Sequence, residues 1–291
     1  MKYKKMKALD KIRLTLEMIK FEHTIFVLPF TFIGAFLSRG SIPPLEKILL
    51  IVLAMASART AAMSFNRLVD REIDSKNPRT RDRILPRGRL SLRWVYAVIG
   101  MSIALFFIAT YYLNYLVFCL SPCALIIILA YSYTKRFTWT THLFLGLAMS
   151  LGPLGGWLAI KPKISATALF LTLGVMFWGA GFDIIYACLD YNFDIQENLH
   201  SIPVRFGIKN ALFISTLFHI ITVVCFYYVG KFAMLSPIYF FGLAGVAILL
   251  LAEHTLVKPH DLSRVNTAFF TFNGFVSVIM FLIVALALPC I

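Results

Sequence analysis

The chain has 291 residues, of which 59% are hydrophobic and only 14% charged, with a mean hydropathy of +0.80. These values lie far from globular averages and exclude an ordinary soluble domain. The formal net charge of +14 does not point to a nucleic-acid partner, because Lys and Arg fall in alternate loops between apolar blocks, the pattern of cytoplasmic retention.

The apolar blocks are each about 20 residues long, the length of a bilayer-spanning helix. A β-barrel would instead show alternating segments of about 10 residues. The expectation is therefore an all-α, polytopic membrane bundle, one domain over 1–291, embedded in a lipid bilayer. The first apolar block is not read as a secretory signal, because no small-residue cleavage site follows it. Five cysteines, Cys119, Cys123, Cys188, Cys225 and Cys290, are scattered without a CxxC pair. They read as packing residues.

Residues 1–22 carry Lys2, Lys4, Lys5, Lys7, Lys11, Arg13 and Lys20 among apolar positions. This is the composition of an amphipathic segment on the anionic cytoplasmic surface, or of a plain topogenic charge cluster. Nine spans are expected, at about 24–37, 48–65, 94–112, 115–131, 142–160, 166–186, 211–229, 235–251 and 268–288. Pro29 is placed to kink the first, and Gly152, Pro153, Gly155 and Gly156 to break or thin the fifth.

The N-terminus and the loops at 66–93, 133–140, 187–209 and 253–267 fall on one side of this arrangement. The first of these loops alone holds nine basic residues, Arg67 to Arg93. The opposite side has only Arg39, Lys47, Lys161, Lys163 and Lys231. That asymmetry predicts a cytoplasmic N-terminus and cytoplasmic polar loops in a cell (inner) membrane.

Two of those loops carry the chemistry. Asn66, Asp70 and Asp74 recur at four-residue spacing and lie along one helical stripe. Asp183, Asp190 and Asp194, spaced seven and four, form a second stripe. Stacked carboxylates repel one another unless a cation sits among them. Asp183 falls at the end of an apolar span, where an ionisable group marks a functional site by default. Oxygen-only ligands suit a hard cation such as Mg²⁺, which commonly also binds phosphate oxygens.

Arg59, Arg67, Arg71, Lys135, Arg136, Arg205 and Lys209 stand near span ends, and arginine forks match phosphate. Tyr186, between Asp183 and Asp190, is a candidate hydrogen-bonding group. Asp82, Glu72 and Glu197 read as solvated loop charges, and His23 and His142 as interfacial hydrogen-bonding residues. The stretch Arg79 through Arg89 is a candidate lid. The pattern fits a substrate with a diphosphate head and a long hydrocarbon tail.

These residues resemble a known family. Asn66–Asp70–Asp74 matches the NxxxDxxxD motif of UbiA-type intramembrane aromatic prenyltransferases, and Asp183–Asp194 is similar to their DxxYAxxDxxxD motif. Tyr131–Arg136 resembles their basic link before the fifth helix, and Asn266–Asn273 the start of their last one. The resemblance covers nearly the whole chain and implies nine helices.

It also implies Mg²⁺-dependent transfer of a prenyl group from a polyprenyl diphosphate to an aromatic ring. Asp70, Asp74, Asp183, Asp190 and Asp194 become metal-linked catalytic residues under it. Asn66, Arg59, Lys135, Arg136 and Tyr186 become substrate-binding residues. Segments 20–24 and 201–207 look like the branch acting on 4-hydroxybenzoate in ubiquinone biosynthesis. In some bacteria that branch is associated with 1,4-dihydroxy-6-naphthoate and menaquinone. A haem-type acceptor is a further alternative within the family. Arg67, where many members carry Asp, is a departure from the pattern. A transporter would place its acidic site near the midplane between inverted halves, and a CDP-alcohol phosphotransferase would carry a DGxxAR run that is absent here.

Overall fold

The computed structural model describes residues 7–20 and 26–288. Lys2, Lys4, Lys5, His23, Thr24 and Cys290 lie outside the described residues.

Helix α1 (Ala8–Met18) precedes α2 (Leu28–Arg39) and the long α3 (Leu45–Val69). A short α4 (Arg71–Lys76) leads into a polar loop with no long element. Then come α5 (Leu92–Leu113), α6 (Tyr115–Thr134), α7 (Thr141–Ile160) and α8 (Ala166–Ala187). A 3₁₀ turn at Cys188–Asp190 joins α8 to the short α9 (Tyr191–Gln196). The chain closes with α10 (Ile202–Phe232), α11 (Pro237–Leu256), α12 (Val265–Thr267), a π-turn at Ala268–Phe272 and α13 (Asn273–Ala287). No β-strand is formed among the described residues; the fold is the expected all-α membrane bundle.

Among the described residues, eight helical segments are long and apolar enough to cross a bilayer. The first expected span appears as α2, whose 12 residues reach about 18 Å at the helical rise per residue. It is nonetheless interior: Phe30 and Ile33 are fully buried, and α2 packs on α7 and α13.

Local chemistry sets the helix ends. Ser91, Asn114, Ser165 and Ser201 each cap a following helix by accepting a backbone N–H with the side chain. Pro29, Pro203 and Pro237 lie in the first turns of α2, α10 and α11, where no N–H is needed. Helix α10 begins nine residues before the expected Ala211, because Ile202–Phe206 form a helical turn ahead of a break at Gly207 (φ 77°).

Packing is close because small residues stand at the crossings. A Cβ on Gly34 would sit 2.1 Å from the Pro153 carbonyl oxygen, and one on Gly146 would sit 2.1 Å from that of Met176. These positions bring α2 and α8 onto the two faces of α7. The cluster Gly152–Gly156 does not break α7, which runs unbroken through Pro153; it thins the helix for its neighbours.

The main core stacks Phe30, Trp178, Phe182 and Phe226 between α2, α8 and α10. A second core ties α1 to the loop after α4: Leu14, Met18 and Ile19 pack with Ile84, Leu85 and Leu90. Helix α1 therefore lies on the polar loop, while Leu9, Ile12 and Leu16 remain exposed for an apolar surround.

Candidate active site

Each acidic array is built at the end of a spanning helix that breaks once and resumes. Helix α3 stops at Val69, Asp70 sits between α3 and α4, and α4 carries Asp74. The Asp70 amide donates to Asn66 O at 2.9 Å and the Asp74 amide to Asp70 O at 2.7 Å. The stripe therefore survives the break.

The second array repeats the device. Asp183 is in the last turns of α8, Asp190 ends the 3₁₀ turn, and Asp194 is on α9. Asp70, Asp74 and Asp194 are buried.

The arrays are physically joined, and by residues the motif reading did not assign. Asn77 Nδ2 donates to Asp190 Oδ1 at 2.9 Å. Arg79 donates through Nε to Asp190 Oδ1 at 2.9 Å and through Nη2 to Asp190 Oδ2. Its Nη1 donates to the Tyr186 hydroxyl at 2.8 Å, and its guanidinium lies 4.9 Å from the Tyr186 ring centroid. Burial works against the Arg79 charge, but the hydrogen bonds and charge of Asp190 outweigh it and raise its pKa. Lys76 pairs with Glu197 at 2.6 Å on the same seam. The Arg-rich stretch is therefore a strap between the two acidic ends.

Within the first array, Asn66 Nδ2 donates to Asp70 Oδ2 at 2.9 Å, and Arg83 Nη1 reaches both Asp74 oxygens at 2.7 and 2.8 Å. Arg136 Nη2 donates to Val69 O at 2.8 Å and approaches Asp70 Oδ1 at 3.4 Å. Burial pushes the Asp70 carboxyl above its ordinary range, and Lys135 and Arg136 pull against that shift.

Asp183 is held differently. Its Oδ2 lies 2.7 Å from His142 Nδ1, and His142 Nε2 accepts the Ile202 amide at 3.3 Å. A neutral imidazole has one N–H, so Nε2 as acceptor makes Nδ1 the donor to Asp183. His142 is buried and orients an acidic residue; sequence alone suggested only an interfacial hydrogen bond. Asp82 and Arg87 form an exposed pair, as expected of a loop charge.

Below this polar face lies an apolar chamber of about 410 Å³ between α2, α3, α5, α6 and α7. Arg59, Met63, Tyr131 and Leu145 line it at the helix ends nearest the acidic arrays, and Ile51, Leu113 and Leu158 at the far ends. From Met63 to Ile51 along α3 the chamber runs about 18 Å. Arg59 also donates to Lys20 O at 3.3 Å.

Among the described residues, no three His, Cys, Asp or Glu side chains converge tightly enough to hold an ion as they stand. Arginines engage Asp74 and Asp190. The donor set still fits a hard cation: it consists of carboxylate oxygens, and the buried Asp194 Oδ1 has no hydrogen-bond partner among the described residues.

A polytopic helix bundle with two acidic arrays on one face, above a hydrocarbon-lined chamber, defines the class of protein. Comparison with known proteins makes it specific. Residues 27–284 match the UbiA prenyltransferase family, and the chain belongs to that family. It is 33% identical over 256 residues to the 4-hydroxybenzoate octaprenyltransferase of Blochmanniella pennsylvanica, covering 87% of each chain. The apo UbiA homologue of Aeropyrum pernix K1 superposes with a TM-score of 0.81 at 33% identity, over 89% of this chain and 95% of that one. A UbiA homologue of Archaeoglobus fulgidus bound to GPP and Mg²⁺ shares the fold, with a TM-score of 0.69 at 22% identity over 94% and 99% of the two chains.

Proposed function

We propose that this chain transfers a polyprenyl group from a polyprenyl diphosphate to an aromatic hydroxy acid of the 4-hydroxybenzoate type, in quinone biosynthesis. The observation that carries the reading is the junction itself. Two acidic arrays, bridged by Asn77 and Arg79, stand over a chamber whose lining is almost wholly apolar. A diphosphate head and a hydrocarbon tail match the two halves. The relatives named 4-hydroxybenzoate octaprenyltransferase and the homologue bound to GPP and Mg²⁺ support it.

Asp70, Asp74, Asp183, Asp190 and Asp194 would hold Mg²⁺, with Asn66 orienting Asp70. When bound, the metal neutralises charge on the diphosphate. The protein's own part is placement and exclusion of water. Arg79, Lys135 and Arg136 place positive charge where the leaving diphosphate gains negative charge. Arg59 at the mouth of the chamber faces either diphosphate or the acceptor's carboxylate.

The allylic C–O bond breaks with its electron pair leaving on the diphosphate. The chamber shields the allylic carbocation from water. A carbon of the electron-rich ring, ortho to its hydroxyl, then forms the new C–C bond, and loss of the ring proton restores aromaticity. The excess of Lys and Arg in the loops on this face supports a cytoplasmic site and a cytoplasmic N-terminus in a cell inner membrane. The whole chain acts as one catalytic unit.

The test is prenyl transfer by the purified chain in lipid nanodiscs with Mg²⁺ and geranyl diphosphate. One reaction contains 4-hydroxybenzoate and a parallel one 1,4-dihydroxy-6-naphthoate. Product from 4-hydroxybenzoate is expected. Product only from the naphthoate would move the acceptor to menaquinone chemistry, and product from neither would refute the aromatic-acid reading.

A further inference from the structure

Three polar side chains on the other side of the bundle are completely buried: Trp178 on α8, Glu253 on α11 and Asn273 at the start of α13. None belongs to either acidic motif. Asn273 connects the other two. Its Oδ1 accepts Trp178 Nε1 at 2.7 Å, and its Nδ2 donates to Glu253 Oε1 at 2.8 Å. The same Nδ2 also reaches Ala268 O at 3.2 Å. Glu253 Oε2 has no hydrogen-bond partner among the described residues, and His219 Nδ1 stands 3.8 Å from it. A carboxyl group at zero exposure in a spanning helix is costly, and a function is the default explanation.

What the network grips is a special piece of backbone. Ala268–Phe272 is a π-turn, a rare geometry that concentrates at functional sites. Asn273 ties its first carbonyl. The turn presents Phe269 to the active site: the Phe269 ring centroid is 4.3 Å from that of Tyr186 and 5.2 Å from that of Phe182. Tyr186 also meets Arg79, which hydrogen-bonds its hydroxyl and clamps Asp190. Trp178 lies eight positions before Tyr186 on α8, about 12 Å deeper along the helix. An unbroken set of contacts therefore runs from Glu253 to the second acidic array.

We propose that Glu253 and Asn273 are positioning residues for the diphosphate end of the site. They lock the π-turn, the π-turn backs the Tyr186 ring with Phe269, and Tyr186 aims Arg79 at Asp190. The kinetic part of this inference rests on the prenyl-transfer reading; its structural part does not. A network that merely glued α8, α11 and α13 together would lower thermal stability and leave the strap at 77–83 untouched.

The experiment uses the full chain in nanodiscs, with Asn273→Ala, Phe269→Leu, Glu253→Leu and Glu253→Gln. Amide hydrogen exchange of segment 77–83 is expected to quicken in Asn273→Ala, Phe269→Leu and Glu253→Leu. The KM for geranyl diphosphate is expected to rise about tenfold, the equivalent of one ordinary hydrogen bond, with the KM for the aromatic acceptor unchanged. Glu253→Gln keeps an oxygen to accept Asn273 Nδ2 and is expected to recover most of the Glu253→Leu loss. In the Arg79→Ala background, Asn273→Ala should add little, because both act through one contact.

Unchanged exchange at 77–83, or effects of Asn273→Ala and Arg79→Ala that simply add, would overturn the inference. Should Asn273→Ala fail to fold, Phe269→Leu removes no polar group and carries the same test. A wild-type chain inactive with every acceptor would defeat the functional reading, yet the exchange comparison would still decide this one.

Discussion

His142 offers the sharpest separation of site chemistry from stability, because its two ring nitrogens do different jobs. Nδ1 donates to Asp183 Oδ2 at 2.7 Å, and Nε2 accepts the backbone amide of Ile202 at the start of α10. Asn in place of His can present an amide N–H near the Nδ1 position; Gln can present an acceptor near Nε2. His142→Asn therefore keeps the Asp183 contact and strands the Ile202 amide, whereas His142→Gln does the reverse.

A hydrogen bond to a charged group contributes about 1.5–3 kcal/mol, and a stranded buried donor costs about 1–3 kcal/mol. If the whole Asp183 term appears in the transition state, His142→Gln loses about 10- to 150-fold in kcat/KM. His142→Asn should keep most activity but lose thermal stability, about 2 °C in apparent Tm per kcal/mol for a chain of this size. The assay pairs initial rates of prenyl transfer with scanning fluorimetry of the same samples. If both variants lose activity to the same extent, or if His142→Asn is the less active one, the division of labour is wrong.

Other outcomes follow from the same geometry. Asp194→Asn removes a buried charge whose Oδ1 has no partner among the described residues, so Tm should hold or rise. Activity should fall at least about 100-fold if that oxygen serves the metal, and Mn²⁺ binding followed by electron paramagnetic resonance should weaken. Arg79→Lys keeps the charge but cannot make the fork to Asp190 and Tyr186 together. An increase of about tenfold in KM for geranyl diphosphate is expected, and an unchanged value would show that the strap does not touch the donor site. Ala58→Phe places a ring in the chamber, and competition between short and long prenyl diphosphates should shift toward the short one. EDTA should abolish transfer and added Mg²⁺ should restore it, while intrinsic stability changes little.

The bundle itself is legible in the sequence, because bilayer-length apolar blocks follow from the demand that backbone polar groups be satisfied inside lipid, and the alternating basic loops from retention of Lys and Arg on one side. The acidic arrays were legible for a related reason. Asn66, Asp70 and Asp74 recur at helical spacing, and repeated carboxylates on one face need a common partner. Periodicity is a local property, and it survives even though α3 breaks at Asp70 and α8 breaks before Asp190.

Tertiary structure decided the pairings between distant segments. Arg79 was visible as one arginine among many, but its choice of Asp190, 111 positions away, depends on how α8 and the loop after α4 are brought together. His142 meeting Asp183, and Asn273 joining Glu253 to the π-turn, depend likewise on the close crossings that Gly34 and Gly146 permit and on the packing of α11 against α13. Helical spacing reports which side chains share a face. Which faces meet, and which polar groups are then left to satisfy one another away from water, is settled only when the helices pack.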